Sequence, residues 1–310
     1  MTTIIFPGQG SQYLGMAKDF YNNFEVARNV FESVEDSTNI RVKKIIFENK
    51  ENLLDITKYT QICIYTASMA IFEVFNEIFN NNSFFNVNFV LGHSLGEYSA
   101  LTASKFIILQ DCAKILKIRG ELMQKAFPEN MSGMVALIGL DCISVEKIIK
   151  DNSLDIEIAN DNSKMQVVIS GKIENLKNSE KIFLNSGVRN FIYLNVSAAF
   201  HSNIMKNAQE KMKNSLLKIK FSDPIYSVIS NFSASDSKDK VTIFENLTKQ
   251  MSNRVKWYDS IKLLESKNEK NIIEIGPGKI LTGLIKRISK NFNCYNINEL
   301  KDIDVLKNAI

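Results

Sequence analysis

The sequence predicts a mostly parallel α/β sheet interrupted by a smaller α+β insertion, and two observations predict it. Over most of the chain, short apolar or β-branched runs alternate with longer helical patterns, the order expected when helices cover a parallel sheet. After Pro128 the order changes to β-α-β-β-α-β, that of a ferredoxin-like split βαβ unit. The expected organisation is a discontinuous large domain, residues 1–129 and 196–310, with a small domain at 130–195 inserted into it.

Each element has its own signal. Residues 3–6 are a β-branched run ending in Pro7-Gly8-Gln9-Gly10-Ser11-Gln12, which reads as a buried strand and a tight turn. Residues 60–79 carry Ile64, Ala67, Ile71, Val74, Phe75 and Ile78 at three- and four-residue spacing, the mark of a buried helix. A compact apolar strand at 87–91 precedes a small-residue helix at 96–103, and a further helix covers 110–127. In the insertion, strands are expected at 134–140, 156–159, 167–170 and 191–194, with helices at 145–150 and 174–185. Helices at 203–217, 242–251 and 279–288 and strands at 225–230 and 272–275 then resume the alternation, and 233–240 reads as a polar loop.

Composition narrows the class. With 310 residues, 45% hydrophobic and 23% charged, the chain can bury a full globular core. Its charge of +4 comes from 38 basic and 34 acidic residues scattered along the length. Nucleic-acid binding needs clustered charge, so no nucleic-acid partner is expected, whereas a mildly basic surface suits an acidic protein or an anionic ligand. Cys63, Cys112, Cys142 and Cys294 show neither metal spacing nor a CxxC pair, so they read as buried thiols in a reducing compartment, with no metal implied. The N-terminus lacks the charged start and apolar core of a signal peptide, and no apolar run approaches the roughly 20 residues that span a bilayer. A cytoplasmic protein without membrane contact is expected.

The chemistry concentrates in Gly92-His93-Ser94-Leu95-Gly96, a G-x-S-x-G nucleophile elbow lying between an apolar strand and a helix. So sharp a turn strains the serine backbone and needs small residues two places either side. It also sets Ser94 at a helix N-terminus, where the Leu95 amide can stabilise an oxyanion. A serine needs a base, and His93 and His201 are the only imidazoles. His93 adjoins the nucleophile and should project away from the pocket. His201 follows an apolar strand in Ser197-Ala198-Ala199-Phe200-His201-Ser202 and is the expected general base. No carboxylate can be assigned as a third member by spacing, although Asp223 and Asp236 lie in the right half of the chain. A backbone or amide carbonyl, with Asn231 and Gln250 as candidates, could orient the imidazole instead.

Five segments in order carry a resemblance to a known family: Phe6-Pro7-Gly8-Gln9-Gly10-Ser11-Gln12, Gly92-His93-Ser94-Leu95-Gly96-Glu97-Tyr98, Arg119-Gly120, Phe200-His201-Ser202 and Glu274-Ile275-Gly276-Pro277-Gly278. Together they resemble the malonyl-CoA:acyl carrier protein transacylases of bacterial fatty-acid synthesis, across the whole chain. The resemblance implies an α/β-hydrolase-like large domain with a ferredoxin-like insertion. It implies Ser94 as the acylated nucleophile, His201 as its base, Gln9 with the Leu95 amide as oxyanion hole, and a carbonyl of Gln250 orienting His201. Arg119 would grip the free malonyl carboxylate, a task for which a planar guanidinium suits better than an ammonium. Asn160 and Asn231 match amides lining the cleft, and Phe200 stands where malonyl-selective relatives carry phenylalanine. Ala198-Ala199 departs from the more usual Gly-Pro or Ala-Pro before the histidine.

The implied substrates are malonyl-CoA and the phosphopantetheine thiol of acyl carrier protein, with no metal or resident cofactor and a monomeric enzyme. A polyketide-type acyltransferase, a serine esterase or thioesterase, and a non-catalytic carrier-docking module are the alternatives. On sequence alone, an arginine in the helix at 110–127 also reads as a surface ion-pair member.

Overall fold

The computed structural model describes residues 1–79, 86–128 and 130–309, so the expected domain limits at 129 and 310 fall outside the described residues. Strand β1 (Thr2–Phe6) leads through α1 (Lys18–Asn23), α2 (Glu25–Thr38), α3 (Val42–Phe47) and the long α4 (Thr57–Phe79) to β2 (Val87–Gly92), α5 (Leu95–Ala103) and α6 (Leu109–Gln124). The small unit follows as β3 (Ser132–Ile138), α7 (Cys142–Asp151), β4 (Ile156–Ser163), β5 (Gln166–Lys172), α8 (Ile173–Asn185) and β6 (Asn190–Tyr193). The chain then returns through α9 (Lys206–Leu216), β7 (Ser227–Ile229), β8 (Asp236–Ser237), α10 (Lys240–Lys249), α11 (Trp257–Ser266), β9 (Asn271–Ile275), α12 (Ile280–Ile288), β10 (Asn293–Ile297) and α13 (Leu300–Ala309).

The larger sheet has the order β10-β9-β1-β2-β7-β8, parallel except for the antiparallel edge pair β7 and β8. Its inner strands are apolar without alternation because both faces are covered. Along β1, Ile4 and Phe6 enter the core containing α4, while Ile5 enters a second core with Trp257, Ile261 and Leu281. The smaller sheet, β4-β5-β3-β6, is antiparallel throughout and closes its own core of Val135, Val167, Ile169 and Phe183 under α7 and α8. The two sheets are stitched where Val255, ahead of α11, exchanges backbone hydrogen bonds with β4: Asp161 N–H to its carbonyl at 2.9 Å and its own N–H to Ala159 at 2.8 Å.

Several expectations are corrected. Helix α4 is long and apolar enough to cross a membrane, contrary to the apolar-run reading, but most of its side chains are buried inside the protein, where α2 and α6 pack on it. The expected loop at 233–240 holds edge strand β8, too short and polar to carry a strand signal, and ends where Asp239 caps α10 by accepting from Thr242 N–H at 2.8 Å. The expected helix at 242–251 is α10 followed by a 3-10 turn at Gln250–Ser252, and that at 203–217 opens as a 3-10 turn at Asn203–Met205. Cys63, Cys112 and Cys142 are buried, but Cys294 is only half-buried; all four are free thiols.

Candidate active site

The site forms at the carboxyl ends of β1, β2 and β7, the position at which open α/β sheets leave a crevice. After β2 the chain turns so abruptly that Ser94 takes φ +51°. A Cβ on Gly92 would lie 2.1 Å from the Gly96 carbonyl, and one on Gly96 would lie 2.1 Å from the Phe6 carbonyl oxygen. Both glycines are therefore required by close approach of strand, turn and helix. Asn231, just after β7, clamps the turn: its Oδ1 accepts from the Ser94 amide at 2.6 Å and its Nδ2 donates to the Gly92 carbonyl at 2.7 Å. Asn231 thus holds the elbow and does not orient the histidine. Leu95 is the first residue of α5, where helix amides lack intrahelical partners.

Ser94 Oγ lies 2.8 Å from His201 Nε2. His201 Nδ1 lies 3.0 Å from the backbone carbonyl of Gln250, at the end of α10 where helix carbonyls are unclaimed. A carbonyl only accepts, so Nδ1 carries the proton and Nε2 presents its lone pair to the serine hydroxyl. Burial, and next the positive charge of Arg119, hold the His201 imidazole well below its ordinary value, at about 3, so the ring is neutral at neutral pH with Nε2 free to accept a proton. His201 itself sits at φ +56°. Its loop is held from the small sheet: Ser132 Oγ accepts from the Ala199 amide at 3.1 Å, and Ser170 Oγ donates to the Phe200 carbonyl at 2.8 Å. From the other side, the His201 amide donates to the Met251 carbonyl at 3.2 Å.

Arg119 is 1% exposed, which excludes the surface ion-pair reading. Its Nη1 donates to Gln61 Oε1 at 2.6 Å, while Nη2 donates to Ser94 Oγ at 3.0 Å and to Gln250 Oε1 at 2.9 Å. Its guanidinium lies 5.2 Å from the Tyr98 ring centroid, and Nε is buried without a partner among the described residues. Neutral amides, not a carboxylate, hold this cation, which leaves it attractive to an incoming anion.

The cleft above these groups, about 260 Å³, is also lined by Gln9, Asn160, Phe200 and His93. Gln9 Nε2 reaches Thr57 Oγ1 at 3.4 Å. His93 borders this cleft, but its ring is engaged structurally, as expected: Nε2 is 2.9 Å from Asn162 Oδ1 and the ring packs 5.6 Å from Trp257. Asp223 and Asp236 stand elsewhere, paired with Lys240 and Lys267 at 3.1 Å each, so neither completes a triad. Sequence reasoning missed Gln61 and the buried Glu97. A lone amide within the apolar stretch of α4 and a lone carboxylate in a small-residue helix were the available signals.

The description "Acyl transferase domain" matches residues 3–305, and the chain belongs to that family. It is 36% identical over 308 residues to malonyl CoA-acyl carrier protein transacylase of Staphylococcus aureus strain MRSA252, covering 97% of each chain. The crystal structure of acyl-carrier-protein-S-malonyltransferase from Bartonella henselae superposes with a TM-score of 0.94 at 37% identity, over 99% of this chain and 98% of that one. A malonyl-transacylase in complex with its type II PKS acyl-carrier protein gives 0.93 at 32% identity over 99% of both chains. The α/β class, with a mostly parallel sheet and a separate antiparallel one, is common to them.

Proposed function

We propose that this chain is a malonyl-CoA:acyl carrier protein transacylase of fatty-acid biosynthesis, working through an acyl-enzyme on Ser94. The observation that carries this reading is Ser94 Oγ standing 2.8 Å from the His201 lone-pair nitrogen and 3.0 Å from a buried guanidinium. His201 Nε2 takes the hydroxyl proton as Oγ attacks the malonyl thioester. Gln9 and the Leu95 amide receive the charge on the carbonyl oxygen. The tetrahedral intermediate collapses, expelling coenzyme A, whose sulfur takes the proton from His201. In the second half, His201 accepts the proton of the carrier's pantetheine thiol as that sulfur attacks the malonyl-serine ester; the tetrahedral intermediate collapses with cleavage of the bond to Ser94 Oγ, which regains its proton from His201 and leaves malonyl on the carrier's sulfur.

Arg119 pairs with the substrate carboxylate, since the N–H that touches Ser94 Oγ is within reach of an acyl group on that oxygen. The backbone carbonyl of Gln250 fixes the His201 tautomer and Asn160 and Phe200 shape the cleft, whereas Asn231, expected there as a lining amide, is spent on clamping the elbow. A thioester is already activated, so the chemistry calls on no metal or resident cofactor. The same reading takes residues 1–129 with 196–310, and 130–195, as the two domains of a cytoplasmic monomer.

Polyketide-type transfer is a second reading, favoured by the likeness to the type II PKS transacylase. A serine esterase has no use for a guanidinium beside its nucleophile. Intact-mass measurement tests the proposal: malonyl-CoA should add one malonyl group at Ser94, and a holo carrier protein should then remove it. Hydrolysis to free malonate without transfer, or labelling at another residue, refutes it.

A further inference from the structure

We infer that Glu97 is a positioning residue for acyl-group selection: it fixes the orientation of the Gln250 side chain and, through it, the aim of Arg119. This inference rests on the malonyl-transfer reading. Glu97 lies one turn into α5 from the nucleophile and is 0% exposed. Its Oε2 accepts from the Asn231 amide at 3.1 Å and from Gln250 Nε2 at 2.7 Å.

A side-chain amide has a donating end and an accepting end, and its neighbours decide which way it faces. Gln250 Nε2 also donates to the Ser94 carbonyl at 2.9 Å. Both of its hydrogens are therefore committed to acceptors, and Oε1 is turned to the Arg119 Nη2 donor at 2.9 Å. The reverse orientation would set amide oxygen against carboxylate and carbonyl, and amide hydrogens against a guanidinium. Arg119, having no acceptor capacity, would lose one of its two amide anchors and keep only Gln61, at 2.6 Å. The guanidinium would then turn about the Gln61 contact, held on its other side only by Ser94 Oγ, the oxygen that carries the acyl group. Oε2 accepts both bonds whether Glu97 is ionised or carries a proton on Oε1. Burial does push the Glu97 carboxyl above its ordinary range.

The pattern also explains why a carboxylate serves here without pairing directly to Arg119. With the Gln250 amide between them, the carboxylate steers the guanidinium without occupying the donors that a malonyl carboxylate needs. A direct Glu97–Arg119 pair would have to be broken at every turnover.

The test is the ratio of kcat/KM for malonyl-CoA to that for acetyl-CoA, which is independent of the folded fraction of a preparation. Glu97→Met fills the volume but offers no acceptor, and the ratio should fall at least about tenfold. Glu97→Gln can present its carbonyl to Gln250 Nε2 and the Asn231 amide, and should recover the ratio to within about threefold of wild type. In a Gln250→Ala background, Glu97→Met should shift the ratio no further, because the lever it acts through is gone. An unchanged ratio in Glu97→Met, or a Glu97→Gln ratio as low as that of Glu97→Met, overturns the inference. A wild-type enzyme that does not prefer malonyl-CoA sinks the functional reading and this inference with it. A discriminating wild type with an unmoved Glu97→Met ratio sinks this inference alone.

Discussion

Ser94 and His201 meet at 2.8 Å, yet the two are held in different ways. The elbow is built by short-range steric necessity: glycines two places either side of the serine, a strand before and a helix after, with Asn231 as its main distant clamp. The histidine loop has almost no local design. Its backbone is tied to Ser132 and Ser170 of the small sheet and to Gln250 and Met251 at the end of α10. Both residues sit at positive φ, a conformation that costs of order 1–3 kcal/mol and persists only where the surroundings over-determine it. The difference shows two routes to one strained dyad: a motif that carries its own geometry, and a loop whose geometry is lent by distant parts of the chain.

The largest effects should come from the reacting groups themselves. Ser94→Ala should form no acyl-enzyme in the mass spectrum while retaining the wild-type circular dichroism spectrum. His201→Ala should slow acylation by about two to four powers of ten, and His93→Ala by far less. Equal losses in the two histidine variants would remove His201 from the role of base.

Breaking the elbow itself should cost stability. Gly96→Ala drives a methyl group against the Phe6 backbone at 2.1 Å, with little freedom to relax, so unfolding in urea should show a loss of about 3 kcal/mol or more. A variant as stable as wild type would show that strand, turn and helix do not close as tightly as described. The histidine loop should respond more mildly. Ser170→Ala leaves the Phe200 carbonyl unpartnered and should cost about 1–3 kcal/mol, with kcat falling several-fold while KM holds. A purely thermal effect with kcat unchanged would mean that the small sheet supports the loop without setting its geometry.

The pH profile separates the dyad's surroundings from its residues. His201 is held at about 3, below its ordinary 6.5, by burial first and by Arg119 second. The acylation rate should therefore stay level as pH falls through 6.5, where a solvent-exposed histidine base would already be failing. The same depression works against the fold: between about 6.5 and 3 the unfolded chain binds the proton and the folded enzyme does not, so stability should decline as pH falls. In Arg119→Ala the acid limb should move to higher pH, because a neighbouring cation no longer opposes imidazolium formation.

The same contrast explains what was legible in the sequence. The parallel sheet, the insertion's strand order and the elbow are written in local runs and spacings, and each was found where it was expected. Gln250 as the source of His201's carbonyl partner follows from the resemblance, since nothing local distinguishes it from Asn231, and that the carbonyl is the backbone one is visible only in the structure. Gln61 and Glu97 stayed hidden because their importance lies in partners 58 and 153 residues away. Edge strand β8 escaped for another reason: two polar residues paired at a sheet edge have no periodicity to detect.

The malonyl-transfer proposal has a buried guanidinium beside Ser94 select a carboxylate-bearing acyl group. It is tested most directly by offering Arg119→Ala an equimolar mixture of malonyl-CoA and acetyl-CoA and weighing the acyl-enzyme. Removing one side of a desolvated charge pair costs about 2–5 kcal/mol, so malonyl transfer should fall by about one and a half to nearly four powers of ten. Acetyl loading should hold or rise, because the wild-type site leaves a buried cation without its anion when acetyl binds. A shift of the Ser94 adduct from malonyl to acetyl is the predicted result. Equal loss of both adducts would contradict the claim and make Arg119 a support for the fold or for the coenzyme A portion common to both substrates.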